Sequence, residues 1–150
     1  MSGIVVGVDG SHHSQRALIW ALRQAAAQQV PLTVLAVRPD PARPATGIYW
    51  GLRAYPEDKH NPDVVRQAVE QIVEQARSEI GETAPRATVN VVSGDPAEEL
   101  IAASRDADLV VVGSRGSGGF TSLLLGSVSS KVAHHAACPV VVVREKGEAS

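Results

Sequence analysis

The residues best suited to bind a ligand lie in one glycine-rich segment, residues 113–127, between an apolar run and a sequence that favours a helix. Its glycines stand at positions 113, 116, 118, 119 and 126. They permit positive φ angles and close approach of a ligand, because they carry no Cβ. The first N–H groups of the following helix lack partners within that helix, and with its dipole they attract an anion. The segment therefore predicts a phosphate-binding loop, with a simple mobile connection as the alternative.

The spacing of this segment excludes better-known phosphate-binding motifs. No lysine directly follows a loop glycine, as a Walker A motif requires, and Thr121 stands where G-x-G-x-x-G needs its third glycine. The G-x-S-x-G turn of serine hydrolases is also absent. What remains is G-x-x-G, nine residues, and G-S, formed by Gly113, Gly116, Gly126 and Ser127. This pattern resembles the nucleotide-binding signature of the universal stress protein family.

The composition limits the classes of partner. A length of 150 residues with 44% apolar content predicts one domain over 1–150. Aromatic content of 3% and a net charge of −2 argue against binding nucleic acid or an anionic membrane. The single Cys138 cannot form an internal disulfide, and neither a signal peptide nor a long apolar run is present. We therefore expect a cytoplasmic protein with no nucleic-acid or membrane partner.

Short valine-rich runs alternate with helical patterns along the chain. This alternation predicts an α/β fold, a parallel sheet with helices on both faces. Ligands of such sheets bind beyond the carboxyl ends of the strands, where the winding reverses. If the first and fourth strands are neighbours there, Asp9 and the segment 113–127 converge. The predicted strands are 4–8, 31–38, 87–92, 108–113 and 139–144; the helices are 14–28, 63–80, 97–105 and 127–137; residues 39–61 form a long irregular stretch and 145–150 a frayed tail.

The resemblance to universal stress proteins extends along most of the chain. It implies a Rossmann-like sheet of order 3-2-1-4-5 that binds an adenine nucleotide, usually ATP. The matching segments, in the order of the family, are Val8–Ser11, Ser93–Ala97, Gly113–Gly116, Leu125–Ser129, Ala133–His135 and Cys138–Val140.

The resemblance also implies a position for each binding residue. Asp9 would lie near the ribose and phosphates, where a carboxylate can hold Mg²⁺ that bridges ATP phosphates. The backbone of Val37 would meet the adenine edge. Ser117, where the family often has a basic residue, leaves binding of AMP or cyclic AMP open. Arg115 would lie in the loop as a candidate binding residue. Val112, Gly113 and Gly116 would lie along the ribose and phosphates, and Gly126, Ser127 and Val128 would receive the phosphates.

Family dimers often pair their last strands, and Val140–Val143 would be such an exposed apolar edge. We therefore expect a homodimer closed by symmetric pairing.

One carboxylate without an evident base suggests that the nucleotide is bound without fast hydrolysis. The expected function is a nucleotide-dependent regulator of the stress response with an unknown protein partner. The alternatives are a slow ATPase and an interaction module that binds AMP, cyclic AMP or no nucleotide.

The histidines suggest two further sites. His12 and His13 follow a turn, and we expect both to be exposed to solvent. A zinc site at His134, His135 and Cys138 is disfavoured, because adjacent helical residues point about 100° apart. We expect Cys138 to be a small buried apolar residue.

Overall fold

The predicted alternation of strands and helices is present in a computed structural model that describes residues 3–38, 61–81, 84–114 and 126–144. The predicted bounds differ from the observed ones by at most two residues. Most of the irregular stretch predicted at 39–61, and the tail predicted at 145–150, lie outside the described residues. The strands are β1 (Ile4–Val8), β2 (Leu32–Arg38), β3 (Ala87–Ser93), β4 (Leu109–Gly113) and β5 (Val140–Val143); the helices are α1 (His12–Gln28), α2 (Pro62–Ile80), α3 (Pro96–Ser104) and α4 (Ser127–His135).

The five strands form a parallel sheet of order β3-β2-β1-β4-β5, which confirms the predicted topology. Ile4 at the start of β1 pairs with Leu32 on one side and Leu109 on the other. The chain therefore winds outward from β1 to β3 and then continues on the opposite side with β4 and β5. The winding reverses between β1 and β4, where an open α/β sheet holds its ligands.

Helices cover both faces of the sheet, because alternate residues of each strand point to opposite faces. Val111 of β4 joins a buried cluster with residues of α1 and α2, such as Leu18 and Val69. Its neighbour Val110 joins a second cluster, with Leu100 of α3 and Val132 of α4. Two buried faces explain why the strands are continuous valine runs instead of alternating apolar and polar residues.

Hydrogen bonds of nearby serine side chains explain where α1 begins and where α4 ends. α1 begins at His12, earlier than predicted, because the Ser11 hydroxyl caps it by accepting from the Ser14 N–H (3.2 Å). α4 ends at His135, earlier than predicted, because Ala136 is extended and the Ala137 N–H donates to Ser104 Oγ (2.8 Å). Across the described ranges, no helix is both long enough and apolar enough to span a bilayer.

Candidate functional site

A compact turn holds Asp9 directly after β1. Its Oδ1 accepts a hydrogen bond from the Ser11 N–H (2.9 Å), and its own N–H donates to Ser14 Oγ (3.3 Å). Ser14 is buried and its hydroxyl also donates to the Ser11 carbonyl (3.0 Å), so one serine connects both ends of the turn. These bonds fix the Asp9 carboxylate at the carboxyl end of β1.

The end of β4 packs tightly against the start of α1. A Cβ added to Gly113 would lie 2.7 Å from both the carbonyl carbon and the carbonyl oxygen of His13. Gly113 therefore has a packing role on the α1 side of the sheet, besides the ligand contact that the resemblance implies. The same contact leaves His13 half-buried, so the expectation of two exposed histidines is wrong for His13 and confirmed for His12.

Hydrogen bonds join the two ends of the glycine-rich segment. The Ser114 carbonyl, directly after β4, accepts from the Gly126 N–H (2.6 Å) and from Ser129 Oγ (2.9 Å). The Ser114 N–H donates to the carbonyl of Val143 in β5 (2.9 Å). Ser114 and Gly126, the two described ends of the segment, are therefore directly hydrogen-bonded to each other. Arg115 and Gly116, both predicted binding residues, lie outside the described residues.

The first turn of α4 has the electrostatics of an anion site. Gly126 is its N-cap, and within the described chain no side chain caps this helix. The N–H groups of Ser127 and Val128 belong to the first turn, where backbone donors and the helix dipole favour negative charge. The hydrogen bond from Gly126 to Ser114 places this turn beside the end of β4.

Those predicted nucleotide-binding residues that the structure describes lie at one edge of the sheet. Val8 pairs with Ala36, so the next residues along, Asp9 and Val37, are level at the carboxyl ends of β1 and β2. Val112 precedes Gly113 at the end of β4, beside the start of α4. The side chains of Val37 and Val112 are 4% exposed and belong to the core. A ligand would therefore meet the backbone of these two valines.

Two buried serines of the site were not predicted. Ser114 and Ser129 are 0% and 2% exposed, and their mutual hydrogen bond closes the glycine-rich segment. One signal for Ser129 is its place three residues after Gly126, since a serine in a first helical turn often bonds back to nearby backbone.

The candidate metal ligands of the chain are His134, His135 and Asp9. Within the described ranges, no three histidine, cysteine or acidic residues could hold a metal ion. His134 and His135 are exposed, with ring centres 6.2 Å apart. The Asp9 carboxylate suits Mg²⁺, which commonly takes one or two carboxylates together with substrate phosphates. Asp9 would hold the ion only together with a phosphate-bearing ligand.

Cys138 lies half-buried between α4 and β5, so the expectation of a buried residue is wrong. Burial raises the pKa of its thiol above the ordinary value; a hydrogen bond with the Val110 backbone opposes this, and the nearby Asp108 charge adds to it. Metal binding and nucleophilic attack both need the thiolate, which is scarcer at a given pH than in an ordinary cysteine.

Comparison with known proteins identifies the family. The sequence profile described as "Universal stress protein family" matches residues 1–144. The chain belongs to the universal stress protein family. The strand order of the sheet agrees with this membership.

Among related sequences, this universal stress protein is 36% identical to universal stress protein YxiE of Bacillus subtilis, over 94% of this chain and 97% of that protein. It is also 36% identical to universal stress protein Rv2623 of Mycobacterium tuberculosis, over 96% of this chain and 48% of that protein. The chain thus spans about half the length of the mycobacterial relatives that it matches.

Among solved structures, the fold is similar to that of universal stress protein UspA from Lactobacillus plantarum. The TM-score is 0.74 and the identity 26%, over 95% of this chain and 97% of that one. A universal stress protein crystallised in complex with cAMP has a TM-score of 0.65 and 25% identity, over 95% of this chain and 96% of that one.

Proposed function

We propose that this universal stress protein binds an adenine nucleotide, ATP together with Mg²⁺, at the carboxyl edge of the sheet between β1 and β4. The observation that carries the proposal is the hydrogen bond between Ser114 and Gly126, the described ends of the glycine-rich segment, next to Gly113, which packs on His13 after the Asp9 turn. Family membership and the similar protein in complex with cAMP support the choice of an adenine nucleotide.

Each predicted binding residue has a role in this proposal. The N–H groups of Ser127 and Val128 hold the phosphates at the start of α4. Asp9 binds near the ribose and carries the Mg²⁺ that bridges the phosphates. The Val37 backbone meets the adenine edge, where N–H and carbonyl groups can pair with the base. Val112, Gly113, Arg115 and Gly116 complete the ribose and phosphate side.

We propose binding without fast turnover. Phosphoryl transfer needs a positioned nucleophile and strong stabilisation of charge in addition to a bound metal. The Asp9 carboxylate already accepts a hydrogen bond within its own turn, from Ser11.

In this proposal the nucleotide regulates recognition of a protein partner in the cytoplasm, through the dimer or through residues 39–61. ATP hydrolysis that disappears in Asp9→Ala with ATP binding retained would instead favour a slow ATPase.

A homodimer through β5 is part of the proposal. The carbonyls of Pro139 and Val143 accept hydrogen bonds from β4. Alternate residues of a strand direct their backbone groups to the same side, so Val140 and Val142 direct theirs away from β4. A second copy can pair antiparallel with these groups and remove the exposed edge.

The opposite edge of the sheet is less suited to pairing. It belongs to β3, where Arg66 of α2 donates a hydrogen bond from Nη1 to the Val89 carbonyl (2.6 Å). An arginine that occupies an edge carbonyl hinders the addition of another strand. The proposed dimer therefore uses β5.

Thermal unfolding with added nucleotides tests the proposed ligand class. A ligand that binds the folded chain alone raises the unfolding temperature as its concentration rises above Kd. Nucleotide-free protein is heated with Mg-ATP, AMP, cyclic AMP or Mg-GTP at equal concentrations. We expect stabilisation by Mg-ATP above that given by the other three. No stabilisation by any adenine nucleotide would contradict the proposal, and preferential stabilisation by cyclic AMP would favour the ligand of the similar structure.

A further inference from the structure

The start of α4 is held in place differently from the starts of the other described helices. The N-caps of α1, α2 and α3 are Ser11, Asn61 and Asp95, whose side chains accept a hydrogen bond from an N–H of the first turn. The N-cap of α4 is Gly126, and none of the described side chains caps this helix. A capping side chain occupies one of the N–H groups that a helix offers to an anion. Among the described residues, no side chain therefore occupies the N–H groups in the first turn of α4.

Ser129 anchors this turn instead. It is the third residue of α4 and is 2% exposed. Its hydroxyl donates to the Ser114 carbonyl (2.9 Å) and lies 3.2 Å from the Gly126 carbonyl. The Ser114 carbonyl also accepts from the Gly126 N–H (2.6 Å). Two hydrogen bonds to one oxygen thus bracket Ser127 and Val128.

The oxygen that receives these bonds is itself well fixed. Ser114 is 0% exposed, and its N–H donates to the Val143 carbonyl at the end of β5. The residue before it, Gly113, pairs with Val143 in the sheet and packs against the His13 backbone. Through Ser114, the Ser129 hydroxyl therefore ties the first turn of α4 to the centre of the fold.

We propose that Ser129 is a positioning residue for the phosphates of the bound nucleotide, an inference that rests on the proposed function. Its hydroxyl fixes the N–H groups of Ser127 and Val128 at the carboxyl edge of the sheet and uses none of them. Positioned donors lose little freedom when an anion binds, so affinity depends on this anchor. The affinity of a ligand depends more strongly on Ser129 as its number of phosphates rises, because adenosine, which has none, does not reach the first turn of α4.

Calorimetric titration of wild-type protein and Ser129→Ala with adenosine, AMP and Mg-ATP tests this role. We expect Ser129→Ala to raise the Kd for Mg-ATP about tenfold, which corresponds to the free energy of one well-placed hydrogen bond. Adenosine affinity should change by less than about twofold. A purely structural role would weaken both ligands by the same factor, so the ratio of the two affinities separates the roles.

Two serine variants serve as matched controls. Ser130→Ala removes a half-buried hydroxyl from the next position of α4. Ser104→Ala removes a hydroxyl that is 1% exposed and bonded to Ile101 and Ala137, at the opposite end of the sheet. Both should keep the wild-type ratio of Mg-ATP to adenosine affinity, even where Ser104→Ala lowers the unfolding temperature.

Gly126→Ser provides a second variant, in case Ser129→Ala does not fold. The Gly126 backbone has φ −75° and ψ 173°, which suits a serine N-cap. The new hydroxyl would compete with the phosphates for N–H groups of the first turn. We expect weaker Mg-ATP binding and a smaller loss of adenosine binding.

Equal losses for adenosine and Mg-ATP, or unchanged Mg-ATP binding in a folded Ser129→Ala variant, would overturn the role of Ser129 and leave the proposed function intact. If Ser129→Ala does not fold, unchanged Mg-ATP binding by Gly126→Ser would overturn it. Wild-type protein that binds neither adenosine nor Mg-ATP would overturn the proposed function together with this inference.

Discussion

Gly113 and His13 are in such close contact that no side chain fits between them: a Cβ on Gly113 would lie 2.7 Å from the His13 carbonyl carbon and oxygen. Backbone atoms at the start of a helix cannot rotate away as a flexible side chain can. The contact therefore fixes where α1 begins relative to β4. It also brings the Asp9 turn, which leads into α1, to the end of β4.

We expect Gly113→Ala to lower the free energy of unfolding by about 1–3 kcal/mol, the usual cost of overpacking. Gly7→Ala is the matched control. Its Cβ would meet the flexible end of the Leu100 side chain at 3.0 Å, so its cost should be smaller. Urea unfolding of the three proteins measures both values. A Gly113→Ala variant as stable as the wild type would contradict the packing role.

The sequence predicts most of the fold because its signals are local. Valine runs define the strands, and Asp95 followed by Pro96 marks the start of α3 as an N-cap followed by the first helical position. The strand order came from resemblance to the family, and the register confirms it. Gly81 ends α2 with a positive φ of 98°, a conformation that glycine adopts readily.

The sequence does not predict contacts that depend on tertiary neighbours. His13 was expected to be exposed, yet it is half-buried because the end of β4 packs against its backbone. The place of Ser129 in a first helical turn indicates a hydrogen bond to nearby backbone, and gives no sign of the bond to Ser114. Its hydrogen bond to Ser114 joins residues 15 positions apart in the sequence, and it forms only because α4 starts beside the end of β4. Contacts between residues that are distant in the sequence can be identified only from the folded structure.

Asp9→Asn tests the proposed metal role without removing the turn. Asparagine keeps an oxygen that can accept from the Ser11 N–H, so the turn and the unfolding temperature should change little. The variant loses the negative charge that Mg²⁺ prefers. We expect the gain in ATP affinity on adding Mg²⁺ to fall about tenfold. Titrations with and without Mg²⁺ measure it, and an unchanged gain would exclude Asp9 as a metal ligand.

Val142→Pro tests the proposed dimer interface. Proline removes the N–H that Val142 directs away from β4, and the hydrogen bonds between β4 and β5 remain. Val142→Thr is the control, because it keeps the N–H and nearly the same shape. We expect dimers for the wild type and Val142→Thr, and monomers for Val142→Pro. Light scattering after size-exclusion chromatography reports the mass, and a dimeric Val142→Pro protein would place the interface elsewhere.

The Cys138 thiol should react slowly with alkylating reagents. Burial raises its pKa, so at a given pH near 8 the reactive thiolate is scarcer than in an ordinary cysteine. The plot of alkylation rate against pH should therefore shift to higher pH in folded protein than in urea. Asp108→Asn removes a charge that also raises the pKa, so its plot should shift back toward lower pH. Identical plots for folded and unfolded protein would contradict the burial effect.

The central claim, an adenine nucleotide with its phosphates at the start of α4, is tested most directly by calorimetric titration of nucleotide-stripped protein with Mg-ATP. The same titration is run with AMP, cyclic AMP and a Gly126→Val variant whose folding is checked by circular dichroism. We expect saturable Mg-ATP binding by the wild type, tighter than that of AMP or cyclic AMP, and its loss in Gly126→Val, where the added side chain blocks the approach of the phosphates. Folded wild-type protein that does not bind Mg-ATP, or a folded Gly126→Val variant that binds it equally well, would contradict the claim.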